Sequence, residues 1–456
     1  MLKSASKRFV ARSAKTILSR SVWRSSTALS TSPSALAAYF HATKPLQDAN
    51  VTVLALSKNI PPPLVELIRA ALSTDSSPII GCLSEILPTP AAAHLGLDTP
   101  SEPYSVAVAT YHPDSPNSRA IPFISSLQGR PNITLGREIK SGPRSDYAGD
   151  SSDEGFEAFI SGKKWGFGEN TRNGNAAEIQ ELKDVDVSSV KEIICFTSDR
   201  SQPFMKTLAG YTAASTVGLA GSLTPFHSTT GATYSLFHGK DTVSSGAVGV
   251  AIVDSAPPRP VSVEYAGLEP LEEPFEVTAG KGNIVLTLSG QNAARLLLHA
   301  VQKLPSSSME EVSSQYTRQE EKEKEFFAAI FESQPGPDLS LARHVSKIMA
   351  GDPSRGAMSV DTEEEVKVGS WLVFLHRPSP TPVLPALLSP SPSSLTFLSI
   401  APSYHEPKFS FNGENDEAVF VVEGFIAASE NGVVLSRRGK ESWVCGNEGA
   451  TVSVGR

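Results

Sequence analysis

Two periods of apolar and polar residues run along this chain, and the switches between them mark out its elements. VTVLAL (51–56) is a β-branched apolar run of strand length. PPPLVELIRAAL (61–72) opens on proline and places Leu64, Leu67, Ile68 and Leu72 at i, i+3, i+4 and i+8, the spacing of a helix with one buried face. SPIIGC (77–82) returns to strand character. A strand, a helix and a strand of these lengths predict a parallel pair joined by a crossover helix. YSVAVATY (104–111) and VKEIICFTS (190–198) read as further strands and PFMKTLAGYT (203–212) as a helix. VGLAGS (217–222) reads as a glycine-punctuated turn. TYSLFHG (233–239) and GAVGVAIVD (246–254) read as a hairpin around Gly239–Ser245. Residues 137–175 are rich in Gly, Ser, Asp and Asn and predict a long surface loop, closed by a short helix near Glu154–Ile160.

The proline-rich joint APPRP (256–260) divides this half from the next. FEVTAGKGNIVLTLSG (275–290) predicts two strands around a tight turn at Gly280–Asn283, and NAARLLLHAVQKL (292–304) an amphipathic helix capped by Asn292. Residues 309–330 are highly charged and read as a solvated helix or arm. VKVGSWLVFLHR (366–377) is strand-like, 378–394 is a Pro/Ser loop, and TFLSIAP, AVFVVEGFIAAS and GVVLSRR supply closing strands. The pattern as a whole is α/β, with mixed sheets flanked by helices. It shows no internal repeat beyond this two-part layout.

The first 47 residues depart from it. They carry eight Lys or Arg and no Asp or Glu, and Arg8, Arg12 and Lys15 share one helical face opposite Leu2, Phe9, Val10 and Ile17. That is the composition and geometry of a mitochondrial transit peptide, with cleavage expected between Ala38 and Thr43 and the folded part beginning near residue 50. The matrix is the default destination. Without this segment 32 basic residues face 48 acidic ones, a net charge of −16. An acidic body of that kind lacks the Lys/Arg patches that nucleic acid or an anionic membrane requires. No apolar stretch reaches membrane-spanning length. The three cysteines, Cys82, Cys195 and Cys445, have neither the number nor the spacing of a disulfide framework or a zinc site, and the scattered histidines form no HExxH, HxH or HxxxH pair. Neither a metal nor another cofactor is called for.

Four segments resemble one family. They are 51–87 (VTVLAL through SPIIGCLSEIL), 217–253 (VGLAGS through LFHGKDTVSSGAVGVAIV), 267–301 (GLEPLEEPFEVTAGKGNIVLTLSGQNAARLLLHAV) and 366–377 (VKVGSWLVFLHR). In this order they resemble the FIST proteins (F-box and intracellular signal transduction). The resemblance implies an N-terminal FIST domain over 48–255 and a C-terminal one over 261–445. It also implies a sensory module for small ligands such as amino acids, with no established catalysis. The basic leader occupies the place of an F-box. Ser289-Gly290-Gln291-Asn292 departs from the family's acidic-Gly-x-Pro turn.

The best-placed polar cluster follows the second strand. Ligands of α/β sheets bind beyond the carboxyl ends of strands. Gly81, Cys82, Ser84 and Glu85 hold such a position, and the turn containing Gly218, Gly221 and Ser222 could bring backbone close to a ligand. Arg377, at the end of an apolar strand, is a candidate clamp for a carboxylate. Three functions stay open on these residues. The first is a sensor of a small polar, amino acid-like metabolite. The second is a protein-interaction adaptor related to the F-box proteins of ubiquitin-dependent degradation. The third is an enzyme with Cys82 as nucleophile, which requires an accessible thiol of lowered pKa. Oligomeric state is not legible.

Overall fold

The computed structural model describes residues 22–42, 49–74, 77–88, 102–126, 179–198, 202–224, 227, 233–304, 325–336, 338–352, 356–362, 365–378, 391–401 and 419–455. Its first part comprises ten strands and three helices in the order β1 (Val22–Ser30), α1 (Pro33–Ala42), β2 (Val51–Ser57), α2 (Pro62–Leu72), β3 (Ile79–Ser84), β4 (Tyr104–His112), β5 (Arg119–Ser125), β6 (Val190–Thr197), α3 (Gln202–Ala209), β7 (Ser215–Ala220), β8 (Leu236–His238), β9 (Asp241–Val243) and β10 (Ala247–Val253).

These strands form the same unit twice. In the first, β2 and β3 are parallel through the crossover α2, β4 pairs antiparallel with β2, and β1 pairs antiparallel with β4. In the second, β6 and β7 are parallel through α3, β10 pairs antiparallel with β6, and β5 pairs antiparallel with β10. The registers coincide residue by residue. The row Ser26–Val108–Leu54–Gly81 in one unit matches Phe123–Gly249–Cys195–Gly218 in the other. Each row then extends to one more antiparallel neighbour, Phe237 beside Gly81 and Val434 beside Gly218. A duplication of this kind leaves almost no trace in sequence, because burial on both faces makes any run of Val, Ile, Leu or Ala acceptable in a parallel strand.

The two sheets pack face to face. Val53, Ala55, Ile80 and Cys82 of one unit share a core with Ile194, Phe196, Val217 and Leu219 of the other. Alternate residues point the opposite way. Leu54, Leu56, Ile79 and Leu83 meet Leu64, Val65, Ile68 and Leu72 of α2, whose spacing was legible in the sequence. Ile193 and Cys195 meet Phe204, Met205 and Leu208 of α3. Helices therefore cover the outer faces of a double sheet.

The proline joint at 256–260 does not separate two independent halves. Phe420–Glu423 pairs with β1, and Val433–Ser436 pairs with β7, so strands from the last part of the chain complete both sheets of the first. Val261–Tyr265, Ala450–Val454, Leu395–Ser399 and Phe425–Ser429 form a further sheet, and Phe397, Phe425 and Val452 join the shared core. Between two strands of that sheet the chain runs through a closed antiparallel barrel. Around it follow Phe275–Lys281, Ile284–Leu288, Ala357–Val360, His344–Asp352, Phe326–Phe331 and Trp371–His376, the last pairing back to the first. Helix α4 (Ala293–Gln302) buries Ala293 and Ala300 in the barrel core. Its expected cap is present, with Asn292 Oδ1 accepting from the amide of Arg295 at 2.8 Å.

Several expectations need correction. The folded body includes Val22–Ala42, ahead of the expected start near residue 50. β1 lies between β4 and Phe420–Glu423 in the sheet interior, its Trp23 is 2% exposed, and Leu36 and Phe40 of α1 are buried. Cleavage between Ala38 and Thr43 would remove an internal strand. VGLAGS is not a turn: its first four residues belong to β7, whose Gly218 takes ordinary strand geometry. A Cβ there would stand 1.8 Å from the carbonyl oxygen of Cys195, so glycine is required by the close approach of β6. Gly81, its counterpart, meets Leu54 O at the same 1.8 Å. The hairpin is β8–β9, because β10 crosses to the other sheet. Phe326–Phe331, read as the end of a charged arm, is a buried barrel strand. The strand β5 was not legible. The expected loop at 137–175 and its short helix lie outside the described residues, as does most of 309–330.

Candidate ligand site at the carboxyl edge of the two repeats

The parallel strands β2 and β3 end together, with Ser57 opposite Ser84, and the chain passes directly into Lys58 on one and Glu85 on the other. The Lys58 amide donates to Ser84 O at 2.8 Å, which fixes the two ends to each other. The Lys58 Nζ then lies 2.6 Å from Glu85 Oε2, with the two side chains 7% and 0% exposed. The other carboxylate oxygen, Oε1, accepts from the amide of Ile86 at 2.9 Å. Behind them His227 donates from Nε2 to the carbonyl of Lys58 at 2.7 Å, an assignment that follows because a carbonyl can only accept.

The second repeat brings its own carboxyl edge to the same place. The amide of Ser222 donates to Leu83 O at 3.4 Å, and Asn431 Nδ2 donates to Gly221 O at 2.8 Å. Glu85 N donates to Ala428 O at 2.8 Å, which ties the end of Phe425–Ser429 to the site. The following residue, Glu430, supplies a second carboxylate. Its Oε1 accepts from the amide of Leu223 at 2.8 Å, whereas its Oε2 is buried with no hydrogen-bond partner among the described residues. The Ser222 hydroxyl, on a fully buried residue, is likewise without a partner among them.

The Lys58 ammonium pairs with Glu85, and a second carboxylate, Glu430, lies close enough for its charge to act on Glu85. Burial, and then the neighbouring charge of Glu430, raise the Glu85 carboxyl above its ordinary range; the hydrogen bond from Lys58 opposes this without overcoming it. Burial holds His227 below the usual imidazole range, against the pull of its bond to the Lys58 carbonyl. The cluster keeps a surplus of acid that a proton or an incoming cation can neutralise.

The structure brings together the two segments singled out by sequence, and it sorts their residues. Ser84, Glu85 and Ser222 stand at the strand ends. Gly81 and Gly218 lie within strands, three residues deeper, and serve backbone approach. Gly221 sits at the end, where a Cβ would meet Leu236 Cδ2 and Thr197 O at 3.3 Å. Cys82 points away from the site into the shared core, fully buried, and burial pushes its thiol far above the usual range, with Glu430 adding to the effect. A thiol held protonated and inaccessible cannot act as a nucleophile, so the enzymatic reading of Cys82 is withdrawn. Arg377 is no open clamp: it pairs with Glu448 at 3.2 Å and Glu325 at 3.7 Å and lies over the ring of Phe327. Lys58, His227, Glu430 and Asn431 were missed. Lys58 could have been found as the first polar residue after an apolar strand. Glu430 could not, since only the tertiary structure brings it to Glu85. No group of three or more His, Cys, Asp or Glu with metal-binding geometry occurs among the described residues. No helix among them is long and apolar enough to cross a membrane.

A duplicated strand–helix–strand sandwich, with a polar cluster where the two carboxyl edges meet, defines a mixed α/β module. The model of the FIST N domain matches residues 50–291, just over half of the chain. The protein belongs to the FIST family, whose domains serve signal transduction and small-ligand sensing in general. The match begins at β2 and runs past the joint at 256–260 and through the barrel's second strand, ending just before α4. No curated protein matches the chain.

Proposed function

We propose that the protein is a mitochondrial sensor of a small ammonium-bearing metabolite, amino acid-like in its chemistry, bound where the two repeats meet. The observation that carries the reading is the buried Oε2 of Glu430, without a hydrogen-bond partner among the described residues, near a Glu85 carboxyl that burial and the Glu430 charge raise above its ordinary range. A ligand ammonium supplies the missing donor and offsets the excess of carboxylate in the cluster. The Lys58 ammonium and the Ser222 hydroxyl, which has no partner among the described residues, offer donors for a ligand carboxylate. Buried charge requires such pairing, which gives selectivity against ligands lacking either group. The mitochondrial address rests on residues 1–21, which carry six Lys or Arg and no acid and precede β1.

Thermal-shift measurements on the full chain with a panel of amino acids and simple amines test this. Stabilisation by an amino acid should reach about 2.7 kcal/mol at a hundredfold excess over its Kd and vanish in Glu430→Gln. A panel in which no compound shifts the melting temperature, or in which Glu430→Gln responds as the wild type does, rules the reading out. For the address, residues 1–21 fused to a fluorescent protein should reach mitochondria; diffuse cytosolic signal would reject it.

The adaptor reading retains one specific support. Phe420 and Val421, on the edge strand beside β1, are 42% and 46% exposed, a surface on which a partner strand could add. A stoichiometric partner lost on substitution of both residues by lysine would favour it.

A further inference from the structure

The barrel carries a cleft that the reading above leaves unused. Phe331 lies opposite Trp371, and Ile330 opposite His344, so the connections 332–343 and 361–370 leave the barrel at the same end. Between them opens a cleft of about 320 Å³, within the size range of small-molecule sites. Its apolar wall is Ile330, Phe331, Val366 and Val368. Val368 is 61% exposed and forms a lip.

The charged lining holds Glu332, Glu365, Arg343 and Lys367, and the cations act on the Glu332 carboxylate. The Glu332 carboxylate is bonded by Lys440 and lies 4.0 Å from the guanidinium of Arg343. Lys367, also in the lining, adds its charge. The Lys440 hydrogen bond foremost, then the charges of Lys440, Arg343 and Lys367, hold Glu332 below the usual carboxylate range. Arg343 is fixed from behind. It pairs with Glu441, and its Nε donates at 3.1 Å to Nε2 of His344, whose ring packs edge-on against Trp443 with centroids 4.7 Å apart. An accepting Nε2 carries no hydrogen, so His344 presents its neutral tautomer with the proton on Nδ1. The Glu332 side chain is 48% exposed, and exposed ion pairs are held weakly and exchange readily. The cleft therefore contains a built position for a carboxylate, filled by a resident one that can leave.

We propose that this barrel cleft binds a small apolar monocarboxylate, whose carboxylate replaces that of Glu332 among Lys440, Arg343 and Lys367 while its hydrocarbon body lies on Ile330, Phe331 and Val366. Charge-assisted bonds from a guanidinium fix the head, and the apolar wall excludes ligands with polar tails.

Hexanoate and its neutral counterpart hexanamide, titrated into the full chain by ligand-observed NMR, test the assignment. Hexanoate should bind about tenfold more tightly than the amide, the difference expected of a charge-assisted contact. Glu332→Gln removes the competitor and should tighten hexanoate severalfold while leaving hexanamide unchanged, a result that a damaged fold cannot mimic. Val368→Trp, on the exposed lip, should abolish binding of both. Equal binding of acid and amide, weaker hexanoate binding in Glu332→Gln, unaltered binding in Val368→Trp, or no binding by either wild type or Glu332→Gln would each overturn it.

Discussion

Replacing Lys58 with methionine preserves most of the side-chain volume and deletes the cation of the buried pair. At a separation of 2.6 Å and an effective dielectric of about 20, the contact with Glu85 is worth roughly 6 kcal/mol before desolvation. The loss is smaller than that, because Glu85 can escape an uncompensated charge by keeping a proton, as burial and Glu430 already favour. Breaking a buried pair by removing one partner costs roughly 3–5 kcal/mol, and the available proton places this case near the lower value. The pH dependence has a definite sign. A carboxyl raised in the folded state lends stability that is fully present below its unfolded range and is lost as pH rises through its folded value. Lys58 opposes that rise, so its removal moves the folded value further up and steepens the decline. Urea denaturation of Lys58→Met at about pH 5 and about pH 8 should therefore show the larger loss at the higher pH. The double variant Lys58→Met/Glu85→Gln should recover most of it there, since no buried charge is left unpaired. A loss under about 1 kcal/mol at both pH values, or a larger loss at the lower one, would refute the reasoning.

The duplication makes a paired prediction: Gly81→Ala and Gly218→Ala, each forcing a Cβ within 1.8 Å of a backbone carbonyl oxygen, should both lose about 3 kcal/mol or more by chemical denaturation, and mild behaviour in either would contradict the shared register. Deleting residues 1–21 should leave soluble protein with an unchanged melting temperature, whereas deleting 1–42 should yield aggregated material, because an internal strand is lost. The Cys82 thiol should resist an aromatic disulfide reagent at neutral pH until denaturant is added; rapid modification of the native protein would restore the nucleophile reading. Asn292→Ala should cost about 1 kcal/mol through loss of the α4 cap, read as an earlier denaturation midpoint.

What the sequence determined by itself was local. The crossover unit β2–α2–β3, the cap at Asn292 and the strand pair 275–290 depend on period, proline placement and turn residues within about thirty positions, and all were legible. Ser84, Glu85 and Ser222 were legible as polar residues beyond apolar runs. The tertiary structure decided everything that rests on partners distant in the chain. A basic, serine-rich stretch can be either a leader or a strand; Val22–Ser30 is a strand because β4 and Phe420–Glu423 flank it. Gly218 reads as a turn until β6 is placed against it. The approach of Glu430 to Glu85, and hence the surplus charge of the site, arises only when Phe425–Ser429 returns to the carboxyl edge of the first repeat. Hydrogen-bonding period is encoded by neighbours along the chain, but burial and charge balance depend on neighbours in space, and those are chosen by the packing of the whole.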